Sequence, residues 1–147
     1  MKVIASSPEV SIVIPLYNEE DSVRQLQAEV AAALQDTSYE LILVDDGSTD
    51  NTLANIQNDQ CTRVLTLAMN CGQSAAMYFG IEAAKAPIIA TLDGDLQNSP
   101  HDIPNLMKAL TDDVHMVCGY RANRQDNWFK RVQSLLANGI RRAFTND

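Results

Sequence analysis

Asp93, Gly94 and Asp95 carry the most explicit chemistry in the chain. If the segment continues a strand, its two carboxylates face the same way, with Cα atoms roughly 6–7 Å apart. Two such groups repel each other unless a cation sits between them. Hard oxygen donors of this kind suit Mg²⁺ or Mn²⁺, with diphosphate oxygens completing the shell. Gly94 lets a ligand approach the backbone, and Gln97 offers a further carbonyl oxygen. A second acidic segment is Asp45-Asp46-Gly47-Ser48. Asp46 either accepts hydrogen bonds from a nucleobase or ribose, as acids do at this place in dinucleotide folds, or belongs to an Asx turn with capping by Ser48, Thr49 or Asp50. Tyr17 either stacks on a flat base or packs on a strand end. Arg121 and Arg131 are candidates for diphosphate contact, because a forked guanidinium matches phosphate geometry.

These residues need a scaffold that brings them to one place. Val10–Ile14 reads as a strand stopped by Pro15, and Leu41–Val44, Arg63–Leu67, Ile88–Leu92 and Val114–Gly119 read as four more. Between them lie helical patterns. Val23, Leu26, Val30 and Leu34 recur at spacings of three and four, with Glu19, Glu20 and Asp21 at the helix start, where acids favour the dipole. Asp50-Asn51-Thr52 caps a short helix to about Asn58. Ala75, Ala76, Phe79, Gly80, Ala83 and Ala84 form a small-residue stripe, and Ile103, Leu106, Met107 and Leu110 the next face. Phe129, Val132, Leu135, Leu136 and Ile140 mark a final helix anchored by Trp128. Strand alternating with helix predicts an α/β domain with a mostly parallel sheet, and near-continuous apolar strands predict cover on both faces.

In such sheets ligands bind beyond the carboxyl ends of the strands. The five strands are followed by Pro15-Leu-Tyr-Asn-Glu19, Asp45–Asp50, Asn70-Cys-Gly-Gln73, Asp93-Gly-Asp-Leu-Gln97 and Gly119-Tyr-Arg121. Every one is polar, and their convergence on one edge is a stronger signal than any single member.

Composition narrows the classes. With 147 residues, 46% hydrophobic and 20% charged, the chain has the length and make-up of one globular domain. A net charge of −8 disfavours a nucleic-acid binder. Residues 1–120 carry 5 Lys/Arg against 17 Asp/Glu and residues 121–147 carry 6 against 2, so a body of net −12 precedes a tail of net +4. No apolar run reaches the roughly 18 residues of a membrane span, and Met1–Val10 has no signal-peptide core. Cys61, Cys71 and Cys118 are odd in number and lack Cys-x-x-Cys spacing, which predicts reduced cytoplasmic thiols. His101 and His115 have no partner histidine at ligand spacing and read as structural. No P-loop or Gly-x-Gly-x-x-Gly occurs.

Ser11-Ile-Val-Ile-Pro-Leu-Tyr-Asn-Glu19, Leu43–Asp50, Asn70–Gln73 and Leu92–Gln97, in this order, resemble the family 2 glycosyltransferases of GT-A fold. The Asp-Leu-Gln ending, Gly119-Tyr-Arg121 and Asn127–Arg131 resemble the branch containing dolichyl-phosphate mannose synthase and bacterial polyprenyl-phosphate sugar transferases. The resemblance covers about residues 9 to 140. It implies a Rossmann-like three-layer α/β/α fold, with residues 1–147 as a single nucleotide-sugar-binding domain. Pro15, Tyr17, Glu19, Asp46 and Gln73 would hold the nucleotide, Asp93, Asp95 and Gln97 the metal (Mg²⁺ or Mn²⁺), and Arg121 and Arg131 phosphate of the donor or the acceptor. The residue between the two acids is usually alanine in the family and is Gly94 here, a change expected to preserve the metal site.

The activity so implied is inverting transfer of a sugar from a UDP- or GDP-linked donor to a polyprenyl or dolichyl phosphate. The site of action would be the cytoplasmic face of a membrane, met through the basic last helix. The alternatives are a donor-binding piece without turnover, or transfer to a saccharide hydroxyl. Family members normally continue with an acceptor-binding segment and often membrane helices, so the chain is expected to be truncated at its C-terminus. A nucleotidyltransferase would need a glycine-rich basic loop where the acidic Pro15–Glu20 stands. A phospho-accepting signalling domain would need its acidic pair after the first strand, not the second.

Overall fold

The computed structural model describes residues 7–119. Four strands form one parallel sheet: β1 (Val10–Leu16), β2 (Tyr39–Asp45), β3 (Thr62–Thr66) and β4 (Ile88–Thr91), in the order β3-β2-β1-β4. The helices are α1 (Val23–Ala33), a single turn α2 (Thr52–Asn55), α3 (Gln73–Ala83) and α4 (Ile103–Lys108), the last entered through a 3-10 turn at Pro100–Asp102. Among the described residues no helix is long and apolar enough to cross a membrane.

The alternation of β1 side chains explains the layers. Ile12, Ile14 and Leu16 pack with Val23, Leu26 and Val30 of α1 and Ile103 of α4, while Val13, with Ile42 and Val44 of β2, packs on Ala76 of α3. Helices therefore cover both faces, which is why β1 and β2 are buried almost throughout. Each fully buried branched side chain contributes about 1.5–3 kcal/mol. Gly80 is what allows α3 to lie so close. A Cβ there would stand 2.3 Å from Val13 Cγ1 and 3.0 Å from Val44 Cγ2. Phe79 departs from the expected small-residue stripe and points outward, 46% exposed.

Three further differences from the sequence reading have local causes. β1 runs through Pro15 to Leu16 rather than stopping before it. The Leu16 carbonyl accepts the Asp46 N–H and the Val13 carbonyl accepts the Leu92 N–H, so by alternation Pro15 faces the side of β4. β4 has already ended there, and the missing N–H of Pro15 costs no rung. Glu19, Glu20 and Asp21 lie ahead of α1, not in its first turn, and Ser22 is the N-cap. Glu19 and Glu20 are spent on other partners: Ser22 Oγ donates to Glu19, and the Asn51 N–H and Nδ2 donate to Glu20. The expected fifth strand at Val114–Gly119 is absent; Thr111 and Val114 close a turn by a single antiparallel bridge, and Met116 is 78% exposed. Its apolar pattern is strand-like, but among the described residues no sheet edge pairs with it.

At the amino-terminal end of the sheet a buried polar cluster ties β4 in place. Ser11 Oγ and the Lys85 N–H donate to Glu40 Oε1 at 2.7 and 2.6 Å, Arg63 donates to Glu40 Oε2 at 3.2 Å, and the Ala86 N–H donates to Ser11 Oγ at 3.0 Å. Burial opposes ionisation of Glu40, but the bonds from Ser11, Lys85 and Arg63 outweigh it and hold its carboxyl below the ordinary 4.5. A group whose folded pKa is depressed stabilises the fold above its unfolded value and loses that stabilisation as pH falls through the folded one. Glu40→Gln is therefore expected to cost about 1–2 kcal/mol at pH 7, or roughly 3–8 °C in Tm. Thermal melts from pH 7 to pH 3 check the sign: the gap between variant and wild type should narrow once pH drops below 4.5. A gap that widened in acid would overturn this account.

Candidate functional site

β2 and β3 lie on one side of β1 and β4 on the other, so the chain reverses its direction of strand addition between β1 and β4. A crevice opens beyond the carboxyl ends at such a reversal. A cleft of ≈ 460 Å³ lies there, lined by Pro15, Tyr17, Glu19, Asp46, Gln73, Asp93 and Asp95, together with Leu16, Asn70, Gly72 and Gly94. Seven of the residues anticipated from sequence therefore share one cavity. Gln97 is exposed and is not part of that lining. Arg121, Arg131, Trp128 and the segment expected to form the basic last helix lie outside the described residues.

The first wall is built by two loops stitched together. Asn18, at φ 55, accepts the Thr49 N–H at 2.8 Å through Oδ1, while its own N–H donates to Ser48 Oγ at 3.0 Å. Asparagine tolerates this left-handed backbone better than most residues. The Glu19 N–H donates to Thr52 Oγ1 at 2.7 Å and the Glu20 N–H to Asp50 Oδ2 at 3.2 Å. Ser48, Thr49, Asp50 and Thr52 thus brace the loop that carries Tyr17. Tyr17 itself is 46% exposed and lines the cleft.

Asp46 lines the cleft and also ties two segments together. It is 2% exposed, and its carboxylate accepts the Cys71 N–H at 2.7 Å on Oδ1 and the Gly72 N–H at 2.8 Å on Oδ2. The β3–α3 loop is thereby clamped to the end of β2. A carboxylate offers roughly four lone-pair positions, so capacity remains for a ligand. Asp45 takes the turn role weighed for its neighbour, accepting the Ser48 N–H at 3.3 Å. Gly47, at φ 72, fits beneath the clamped loop: a Cβ would stand 2.8 Å from Met69 C and Asn70 N.

The opposite wall is acidic. β4 ends at Thr91, so Asp93 and Asp95 sit on a turn and not on a continued strand. The strand-parity argument does not apply to them, yet both line the cleft. Gly94 between them is buried, and a Cβ there would meet Leu16 Cδ2 at 2.9 Å and the Pro15 carbonyl at 3.1 Å. An alanine there would need Leu16 to shift. Leu96 sits at φ 59, a costly backbone for a branched side chain, and packs on the core beside α1. Gln73 Nε2 donates to Asp93 Oδ1 at 2.7 Å, Asn98 Nδ2 donates to Asp93 Oδ2 at 3.1 Å, and the Gln97 N–H donates to Asp95 Oδ1 at 3.1 Å.

The model of glycosyl transferase family 2 matches residues 11–146. The chain belongs to this family. Among curated relatives, the family 2 domain is 45% identical over 141 residues to a dodecaprenyl-phosphate galacturonate synthase of Rhizobium johnstonii, covering 90% of this chain and 42% of the relative. It is 44% identical over 137 residues to an undecaprenyl-phosphate 4-deoxy-4-formamido-L-arabinose transferase of Aeromonas hydrophila, covering 88% and 42%. The chain thus spans 42% of the length of these relatives. Among solved structures it resembles a Pyrobaculum calidifontis mannosyltransferase in complex with GDP-Man and Mn²⁺, with TM-score 0.64, 21% identity, and coverage of 74% of this chain and 34% of the other. It also resembles the Mycobacterium tuberculosis glucosyl-3-phosphoglycerate synthase, at TM-score 0.55, 24% identity and coverage of 69% and 39%. The fold is GT-A.

Within the family 2 domain the chemistry divides across the cleft. One side offers an aromatic ring and a buried acceptor; the other offers two carboxylates. Among the described residues no group of three or more His, Cys, Asp or Glu side chains converges as a metal cage. That donor set fits a hard cation that draws its remaining ligands from a diphosphate, since Mg²⁺ is ordinarily held by one or two carboxylates plus substrate phosphates. Sequence reading missed Asn98. Its only signal was an amide five residues after Asp93, and that spacing points at nothing until the turn at Leu96 is known.

Proposed function

We propose that this family 2 domain binds a nucleotide-diphosphate sugar and forms the donor half of an inverting polyprenyl-phosphate sugar transferase. One observation carries the reading: Tyr17 and Asp46 meet Asp93 and Asp95 on a single cleft at the β1–β4 reversal. The names of the two relatives, both specifying a polyprenyl phosphate, favour that acceptor class.

In this reading Pro15, Tyr17, Glu19 and Asp46 hold the nucleoside, with the Tyr17 ring against the base. Gln73 donates to Asp93 and meets the site through that carboxylate. Asp93 and Asp95 hold Mg²⁺ or Mn²⁺, and Gln97 approaches from the exposed side. When bound, the ion neutralises charge that builds on the diphosphate as the glycosidic bond breaks. Arg121 and Arg131 add positive charge to the same phosphates or to the acceptor's. The bond from the anomeric carbon to the diphosphate oxygen breaks, and one from that carbon to an acceptor phosphate oxygen forms on the opposite face, which inverts the centre. An acceptor phosphate is already ionised at neutral pH, so alignment matters more than a general base. Because that acceptor is a lipid, the domain works at a membrane. Trp128, Lys130, Arg131, Arg141 and Arg142 suit an anionic cytoplasmic surface.

The test is thermal stabilisation and calorimetry of the 147-residue chain with UDP- and GDP-sugars, in Mn²⁺ and in EDTA. A ligand at 100 times its Kd stabilises by about 2.7 kcal/mol, and the shift should vanish in EDTA. Absence of any nucleotide-sugar binding across the panel would sink the reading. The alternative is donor binding without turnover. Sugar transfer to undecaprenyl phosphate in liposomes separates the two.

A further inference from the structure

The Asp93 carboxylate is gripped from both sides. Gln73, the first residue of α3, donates to Oδ1 at 2.7 Å, and Asn98, on the loop before the 3-10 turn, donates to Oδ2 at 3.1 Å. The terminal torsion of aspartate is soft, so a carboxylate on a turn does not choose its own plane. Two donors from separate elements, one on each oxygen, choose it. The contact recorded for Asp95 is of another kind, a backbone N–H from its own turn.

The chemistry of the two grips is as informative as their geometry. Both are neutral amides. A lysine or arginine in either place would orient the same carboxylate but pair with its charge, in competition with a cation. An amide orients it and leaves the negative charge in full. Gln73 also follows directly on Cys71 and Gly72, whose N–H groups Asp46 holds. The residue that aligns the acidic wall is thus anchored by the nucleoside wall.

We infer that Gln73 and Asn98 are positioning residues that set the plane in which Asp93 takes a divalent cation, without discharging it. The inference rests on the metal-dependent reading above and adds to it two residues that act through Asp93 and not on the donor. Partners that orient a metal ligand are typically worth 10–100-fold in metal affinity.

The experiment measures Mn²⁺ affinity by electron paramagnetic resonance, on the whole chain, with saturating UDP and separately GDP. Gln73→Ala and Asn98→Ala are each expected to weaken Mn²⁺ binding 10–100-fold, with Tm in EDTA close to wild type. Gln73→Lys is the deciding variant. It keeps a donor within reach of Asp93 and so retains the contact, but it brings charge. Its Mn²⁺ affinity should fall at least as far as that of Gln73→Ala, while its Tm in EDTA holds or rises. A purely structural role predicts the reverse, with Tm lost in the alanine variants and Mn²⁺ affinity kept in the lysine one. Wild-type Mn²⁺ affinity in Asn98→Ala and Gln73→Lys overturns the inference alone. A wild-type chain that takes up no Mn²⁺ with either nucleotide overturns the metal-dependent reading, and this inference with it.

Discussion

Asp95→Ala is expected to abolish metal-dependent donor binding while leaving the fold intact. Asp95 is exposed, and its recorded contact is the N–H of Gln97 within the same turn. Little of the core depends on it, so the stability change should stay within about 0.5 kcal/mol. Its loss halves the anionic pair that faces the cleft. Since residues that merely orient a metal ligand are worth about 10–100-fold in affinity, removal of a ligand itself should cost at least the upper end of that range. Calorimetry with a nucleotide sugar in Mn²⁺ reads the binding, and a melt in EDTA reads the fold. Asp93→Ala is a less clean test, because it also removes the carboxylate to which Gln73 and Asn98 donate. Undiminished Mn²⁺-linked binding by the Asp95 variant would remove the carboxylate pair from the mechanism.

Gly47→Ala should damage stability and donor binding together. The backbone there is left-handed at φ 72, which costs a residue with a Cβ about 1–2 kcal/mol. The added carbon also meets Met69 C and Asn70 N at 2.8 Å, and these are main-chain atoms that cannot rotate away. The loop must move, and with it the Cys71 and Gly72 N–H groups that Asp46 holds. A loss of about 2–3 kcal/mol is expected, seen as roughly 5–12 °C in Tm, with donor affinity at least tenfold weaker at temperatures where the variant is folded. Gly72 makes an instructive contrast. At φ 91 it is also strained for other residues, but nothing lies within 4 Å of its missing Cβ. A substitution there carries the backbone cost without the collision.

Much of this was legible because parallel sheets collect their ligands at one edge. Once β1, β2 and β4 were read from their β-branched runs, the residues after them had to share a neighbourhood, and Pro15, Tyr17, Asp46, Asp93 and Asp95 do. What stayed illegible depends on partners distant in sequence. Asp46 looked like a ligand contact or a turn; its bonds to the main chain of residues 71 and 72, 25 and 26 positions away, belong to neither pattern. Ser48, Thr49 and Asp50 looked like helix caps, and they brace a loop some 30 residues earlier. The fifth strand is absent among the described residues because an apolar alternation says which side would be buried, not that the segment pairs with an edge. Gln73 stood out only as part of a familiar run. Its hydrogen bond to Asp93 requires the first turn of α3 to face the end of β4, a tertiary fact.

Pro15 has one last consequence. Val13 offers its carbonyl to Leu92, and the next rung of that ladder would need a hydrogen on the nitrogen of residue 15. Proline has none to give. The two neighbouring chains are thus forbidden to zip further at the very place where they must part. The gap between them is written into the chain itself, in an atom the ring has removed.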